Sequence, residues 1–338
     1  MSAAASTRAP VFSVGVHILD VLGRPVGEIP PGQSSLLLEE IRATAAGTAA
    51  GTSVDLARLG HAVYSCGAIG DDTLGDMVEA LLDREGVDTR YLVRKAGQRT
   101  SATILPIRPN GERPALHAPG AAQLLEPGDL DPSIFADGCR ALHLGGPDAI
   151  GSFAGEPLAE LARAARALGA IVTLDVLRPG DPETFSRLAP LLELCDWFMP
   201  NEEQLMRSTG ARDLADAIAA AHAAGAWGVA VTRGADGCTV DWDGERLDLP
   251  ALEVQVVDTT GCGDAFDAGF LTGLLLGAGP ELAAWLGLTC GSLVATGLGS
   301  DAGIDSLDQV LTVLATSRPE AAGALSELAS SAGLLTPS

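Results

Sequence analysis

Apolar positions along this chain change period several times, and the changes mark out its elements. Val11 to Val16 is a short apolar run that predicts a first strand. From Leu22 to Ala45 short β-capable pieces are broken by Pro25, Pro30 and Pro31. A helical pattern then begins near Thr52 (Val54, Leu56, Leu59) and stops at Gly60, and a strand follows over Ala62–Ile69. Leu74, Met77, Val78, Leu81 and Leu82 fall on one face of the next helix, which Gly86 ends. A second β-rich stretch runs from Tyr91 to His117: Ser101–Ile107, the turn signal Pro109-Asn110-Gly111, then Ala115–His117. Beyond it, strand-like runs at Ala141–Leu144, Ile171–Leu174, Trp197–Met199 and Trp227–Thr232 alternate with helical patterns. A valine-rich run (Val254, Val256, Val257) enters a glycine turn as a further strand-like segment, and a helix carrying Phe266, Phe270, Leu274 and Leu275 leaves it.

Steady alternation of strand and helix predicts a mainly parallel sheet with helices on both faces, a three-layer α/β core. The two β-rich insertions cannot join that sheet by hairpins. Paired together they predict a small second sheet, a lid over one edge. The expected partition is a core over 11–21, 46–90 and 118–315, a lid over 22–45 and 91–117, and flexible termini at 1–10 and 316–338, the latter a frayed helix or a tail.

Composition narrows the function. A chain of 338 residues, 47% hydrophobic, suits one large α/β domain, and a net charge of −23 argues against nucleic acid or an acidic membrane as partner. No apolar run is long enough to span a bilayer, and the N-terminus lacks a hydrophobic signal core. The six cysteines form no CxxC and several lie in apolar runs, so they read as reduced, buried thiols of a cytoplasmic protein without a zinc site. Lys95 is the single lysine and sits in no phosphate-binding motif, which argues against a Walker ATPase, a Schiff-base aldolase and a pyridoxal-phosphate enzyme.

The densest chemistry is Asp258-Thr-Thr-Gly-Cys-Gly-Asp264-Ala-Phe266. Gly261 and Gly263 allow close backbone approach, and the following helix aims its unpaired N–H groups at the same point, which makes an anion site. A carboxylate at the lip of such a cradle, Asp264, is suited to accept a proton there. The spelling is not a dinucleotide fingerprint, because Phe266 occupies the place of its last glycine.

This nonapeptide resembles the second signature of the PfkB, or ribokinase-like, family of small-molecule kinases, DTxGxGDxF. The segment Leu59–Thr89, with Gly67, Ile69, Gly70, Asp72 and Gly75, resembles the family's N-terminal signature, whose role is architectural. The resemblance runs from about Val11 to Ala315. It implies a ribokinase-like fold with a β lid that often pairs between subunits, here expected as a homodimer, and an ATP-dependent transfer to a hydroxyl of a sugar or related polyol. It implies Asp264 as general base and the Gly261, Cys262 and Gly263 amides as anion hole. Asp20, after the first strand, would bind acceptor hydroxyls. Gly47 belongs to the family's diglycine position, and Gly51 stands where the family has a substrate-touching Asn. His17 reads as a packed histidine rather than a functional one.

Asn201 and Gln204 resemble the family's N-x-x-E motif, which helps hold Mg2+ and its waters; Gln204 replaces the usual Glu, with Glu203 as a substitute. Thr232, Gly234 and Gly237 resemble the T-x-G-x-x-G turn used against the nucleotide, and Thr259 lies beside the phosphates. Asp258 and Thr260, with the loop Gly297–Gly303, either hold K+ or brace the turn. Asp175 and Arg178 lie at the expected rim of the cleft without an assigned contact, and Arg108 and Arg113 in the second lid stretch either meet an anionic substrate or are solvated. A nucleoside kinase with an adenosine-like acceptor, and a non-catalytic ligand-binding regulator, are the alternatives.

Overall fold

The computed structural model describes residues 9–335; the terminal segments 1–8 and 336–338, expected to be flexible, lie outside the described residues. Among the described residues, thirteen strands form two sheets. They are β1 (Val11–Gly15), β2 (Ile18–Arg24), β3 (Glu40–Ala46), β4 (Val63–Gly70), β5 (Asp88–Lys95), β6 (Ala102–Pro106), β7 (Leu116–Ala118), β8 (Ala141–Gly145), β9 (Ile171–Asp175), β10 (Trp197–Phe198), β11 (Gly228–Thr232), β12 (Cys238–Trp242) and β13 (Glu245–Leu249). The large sheet has the order β13-β12-β11-β10-β9-β8-β1-β4-β5, and the small one β3-β2-β6-β7. Pairing is parallel from β5 through to β11. Only the β11–β12–β13 end is antiparallel.

The helices are α1 (Thr48–Arg58), α2 (Thr73–Arg84), α3 (Glu156–Ala167), α4 (Pro182–Leu192), α5 (Glu202–Thr209), α6 (Leu214–Ala223), α7 (Cys262–Leu275), α8 (Pro280–Val294), α9 (Leu307–Ser317) and α10 (Pro319–Ser331). One face of the large sheet packs on α1, α2 and α7–α10 around Phe266, Phe270 and Leu286. The other packs on α3–α6 around Phe12, Leu161 and Phe198. Strands covered on both sides have no polar face, which is why β1 and β8 read as runs rather than alternations.

Three expectations need correction. Tyr91–Lys95 belongs to β5, the edge of the large sheet, because Cys66–Gly70 of β4 pairs with it in parallel; the lid instead begins at Ile18 in β2. The valine run before the Asp258 motif is not a strand: Val256 is half-exposed, and Val257 donates its N–H to the Ala295 carbonyl of the α8 C-cap. Residues 319–331 are a helix, not a tail, since Ala322, Leu325 and Ala329 recur on one face and bury it against the core.

The N-terminal motif does structural work. Asp72 caps α2 by accepting the Gly75 N–H at 2.9 Å, and also accepts the Thr100 N–H at 3.0 Å and hydroxyl at 2.6 Å. Helix, strand and the approach to the lid are thereby tied at one point.

Candidate active site

The C-terminal ends of β1, β9, β10 and β11 open into a cleft of about 840 Å³ roofed by the small sheet. That is the position where parallel α/β sheets bind ligands, beside the strand at which the order reverses. Asp20, Gly47, Thr103, Arg113, Asp175, Asn201, Glu203, Gln204, Thr232, Gly234, Thr259, Thr260, Gly261, Gly263 and Asp264 all line it. Thus residues separated by more than 240 positions meet in one space. Gly51, Cys262, Asp258 and Gly237 do not line it.

The cleft's anion cradle is the N-terminus of α7. Gly261 takes φ 81° as its N-cap, a left-handed conformation, and an added Cβ there would lie 2.5 Å from Ser300 Cα. Gly263 is exposed to the cleft, and a Cβ on it would meet no protein atom within 4 Å. The space in front of this helix start is therefore open for a ligand anion. The helix dipole and the unpaired first-turn N–H groups point there.

Asp264 sits in the first turn of α7. Burial raises its carboxyl to about 7; Arg113 opposes the shift and Asp20 adds to it. Across from it, Asp20 on β2 is also raised to about 6, by burial first, against a hydrogen bond from Thr103 and the Arg113 charge. A carboxylate poised near neutrality can both accept and release a proton at working pH. Arg113 reaches in from the lid and donates from Nε to Thr259 Oγ1 at 3.2 Å. Arg108, by contrast, pairs with Glu112 at 3.4 Å and does not line the cleft.

The missing Asn at position 51 has a local reason. Helix α1 packs on α7, and a Cβ at Gly51 would come within 2.6 Å of Asp264 Oδ2. Gly51 leaves the space that the Asp264 carboxylate occupies and does not itself line the cleft. Gly47 lines the cleft where α1 begins, with φ 92° and a hypothetical Cβ 2.6 Å from the Val16 carbonyl oxygen.

At the opposite wall, Asn201 caps α5 in a reciprocal box: Gln204 N–H donates to Asn201 Oδ1 and Asn201 N–H to Gln204 Oε1, both at 2.9 Å. Gln204 Nε2 donates to the Val176 carbonyl at 2.7 Å. The Gln204 amide is therefore engaged in structure, whereas the Glu202 and Glu203 carboxylates remain exposed at the cleft, Glu203 in an i,i+4 pair with Arg207. Asn201 and Thr232 are bridged side by side. Gly237 lies away from the cleft, packed against the β13 end and Pro250.

Asp258 is fully buried. Its Oδ1 accepts the Thr260 N–H and hydroxyl at 3.0 and 2.8 Å, and its Oδ2 accepts the Gly299 N–H at 3.0 Å. Both oxygens are occupied in bracing the turn against the 297–303 loop. These contacts support the bracing alternative, and Oδ2 keeps an acceptor site beyond the Gly299 N–H.

Two acids escaped the sequence reading. Asp267, one turn beyond Asp264, and Asp55 on α1 are buried with both carboxylate oxygens unpartnered. Burial, with the charges of neighbouring acids adding to it, raises both well above the ordinary carboxylate range. Asp175 at the cleft wall is raised in the same way, with the charge of Asp264 adding to burial. The only signal for Asp267 was its i,i+3 spacing from Asp264 on an otherwise apolar helix. His17 is buried and held neutral, lowered to about 4 by desolvation, with Nε2 2.7 Å from Ser65 Oγ. Lys95 pairs with Asp129 at 2.6 Å, away from the cleft.

The fold, with a carboxylate beside an open helix N-terminus in the cleft, can be compared with known proteins. The family model for pfkB family carbohydrate kinases matches residues 10–307. A fructokinase of Klebsiella pneumoniae is 32% identical over 297 residues, covering 83% of this chain and 94% of its own. Aminoimidazole riboside kinase of Salmonella enterica, solved with aminoimidazole riboside and an ATP analogue, superposes with a TM-score of 0.73 at 26% identity, covering 90% of this chain and 99% of its own. Arabidopsis thaliana ribokinase, solved with ribose and ATP, gives a TM-score of 0.75 at 24% identity over 90% and 98%. The chain belongs to the PfkB family of carbohydrate kinases. No described helix is long and apolar enough to cross a membrane.

Proposed function

We propose that this protein transfers the γ-phosphoryl group of ATP to a hydroxyl of a small polyol, a sugar rather than a nucleoside. The observation that carries the reading is Asp264, raised to about 7 and lining the cleft beside the open N-terminus of α7. The acceptor oxygen attacks the γ-phosphorus, its proton passes to Asp264, and the bond from that phosphorus to the β–γ bridging oxygen breaks, releasing ADP. The first-turn amides at Gly261–Gly263 hold charge on the transferring group, and Asp20 accepts hydrogen bonds from acceptor hydroxyls. Arg113, anchored on Thr259, adds positive charge at the same place. Thr232 and Gly234 offer a hydroxyl and close backbone approach to the nucleotide.

Mg2+ fits this cleft as an ion carried by nucleotide phosphates and waters, since no described cluster of three acids could hold it alone. Glu202 and Glu203 would order its water shell, with Gln204 fixing the helix start. When bound, it neutralises phosphate charge. The lid closes the cleft, so that acceptor rather than water takes the phosphoryl group.

Absence of any Phe, Tyr or Trp from the cleft lining supports a sugar, because a nucleobase acceptor favours an aromatic platform. A homodimer through the lid is supported by apolar exposure: six of the eleven exposed large hydrophobics among the described residues are Ile29, Leu36, Leu37, Ile41, Ile104 and Leu116, all on the lid sheet or its connecting loop. The kinase reading is tested by ADP release with fructose, ribose, nucleosides, D-gluconate and D-fructose 6-phosphate. Turnover with a sugar that vanishes in Asp264→Asn supports it, and measured ATP binding without turnover on any acceptor overturns it. Leu37→Asp should shift the dimer to monomer in sedimentation; an unchanged mass would remove the lid as the interface.

A further inference from the structure

A second cavity of about 520 Å³ lies beside the cleft and shares Gln123, Ala149 and Arg178 with it. Its chemistry is unlike the rest of the molecule. The chain carries 44 acidic and 21 basic side chains, yet two guanidinium groups, Arg178 and Arg187, line this small space with a single acid, Asp148. That acid is occupied: Asp148 Oδ1 accepts the Leu177 N–H at 2.9 Å and Oδ2 the Arg178 N–H at 2.7 Å. Burial also holds its carboxyl above the usual range.

Neither guanidinium is ion-paired with a carboxylate among the described residues, although the charge of Arg187 reaches Asp181 and that of Arg178 reaches Asp148. Arg187 donates only to a neutral acceptor, Thr184 Oγ1, at 3.0 Å. Asp181, at the start of the same helix, is engaged by the Thr184 N–H and hydroxyl at 2.9 and 2.8 Å. Arg178 is exposed at the junction of the two cavities, and neither arginine forms an ion pair among the described residues. Elsewhere arginines such as Arg90, Arg166 and Arg246 pair with nearby acids. Ser152 and Ser186 complete the wall with hydroxyl donors. Guanidinium forks with hydroxyls and no free carboxylate suit a carboxylate or phosphate group, and unsuit a neutral hydroxyl-bearing ring.

We propose that this side cavity is an acceptor subsite for an anionic group, so that the polyol phosphorylated here carries a carboxylate or a phosphate, held between Arg178 and Arg187 while its hydroxyl faces Asp264. The inference rests on the kinase reading above and names the substrate class of that same site.

Steady-state kinetics of the full chain with ATP and four acceptors tests it: D-fructose and D-ribose as neutral sugars, D-gluconate as a carboxylate, D-fructose 6-phosphate as a phosphate. The expected result is that kcat/KM for one anionic acceptor exceeds that for both neutral sugars by about tenfold or more. Which anion wins identifies the group. That ratio should fall by about tenfold in Arg187→Gln, and again in Ser152→Glu, which places a like charge in the cavity without removing an arginine. Neutral sugars preferred by the wild-type protein, or a ratio unmoved in both variants, would overturn the subsite while leaving the kinase intact. If no acceptor is turned over, calorimetric titration of D-gluconate and D-fructose 6-phosphate decides separately. Binding weakened by Arg187→Gln keeps the subsite while the kinase reading fails, and no binding sinks both.

Discussion

The two ends of the cleft are built in opposite ways. The phosphate end comes from one unbroken stretch, Asp258–Asp264, folded onto the start of a core helix and braced by Asp258. The wall proposed for the acceptor is assembled from Asp20 on β2, Thr103 on β6, His117 on β7, and Asp175 and Arg178 at the end of β9. A contiguous helix start can be rigid and general, because its amides recognise any phosphate. A composite of lid strands and loops can be retuned position by position. The difference teaches how one cleft can combine a wall that tolerates little change with one that tolerates much.

The sharpest way to break this contrast is Asp264→Asn, expected to lower kcat by roughly 10²–10⁴-fold with ATP affinity retained. Full activity in that variant would move the base elsewhere. Next in size is Gly51→Asn, which restores the residue common in relatives. Since even a Cβ at that position reaches Asp264 Oδ2, it should lower kcat by about 10²-fold through misplacement of the base, not improve acceptor binding. A gain in kcat/KM would show that position 51 belongs to the acceptor end after all.

Gly263→Ala separates cradle from fold. No protein atom lies within 4 Å of the added Cβ, so the melting temperature should hold while KM for ATP rises about tenfold. A drop in melting temperature with KM unchanged would make that glycine structural.

The smallest effect is on pH. With Asp20 raised to about 6 and Asp264 to about 7, kcat/KM should climb as both deprotonate through that interval. Stability runs the other way: a carboxyl raised by folding stabilises the fold below its ordinary value near 3.8, and that contribution is lost as pH rises through about 7. Asp264→Asn should therefore raise the melting temperature relative to wild type more at about pH 8 than at about pH 5. Equal shifts at both pH values would mean the carboxyl is not raised.

Sequence alone determined the chemistry that is local. The motif spelling put a carboxylate and two glycines at a helix start that opens on the cleft, and strand–helix alternation implied a mainly parallel sheet, because both depend on residues near one another in the chain. It misjudged places where distant segments decide. β5 joined the large sheet because β4 offered it a paired edge, and 319–331 became a helix because the core had a face for Ala322, Leu325 and Ala329 to cover. Only tertiary structure revealed why residue 51 is glycine, that Arg113 meets Thr259 across 146 positions, and that Asp55 and Asp267 lie unpartnered in the interior. Contacts between remote elements, and the desolvation that shifts a carboxyl, are properties of packing and leave no periodic trace in the order of residues.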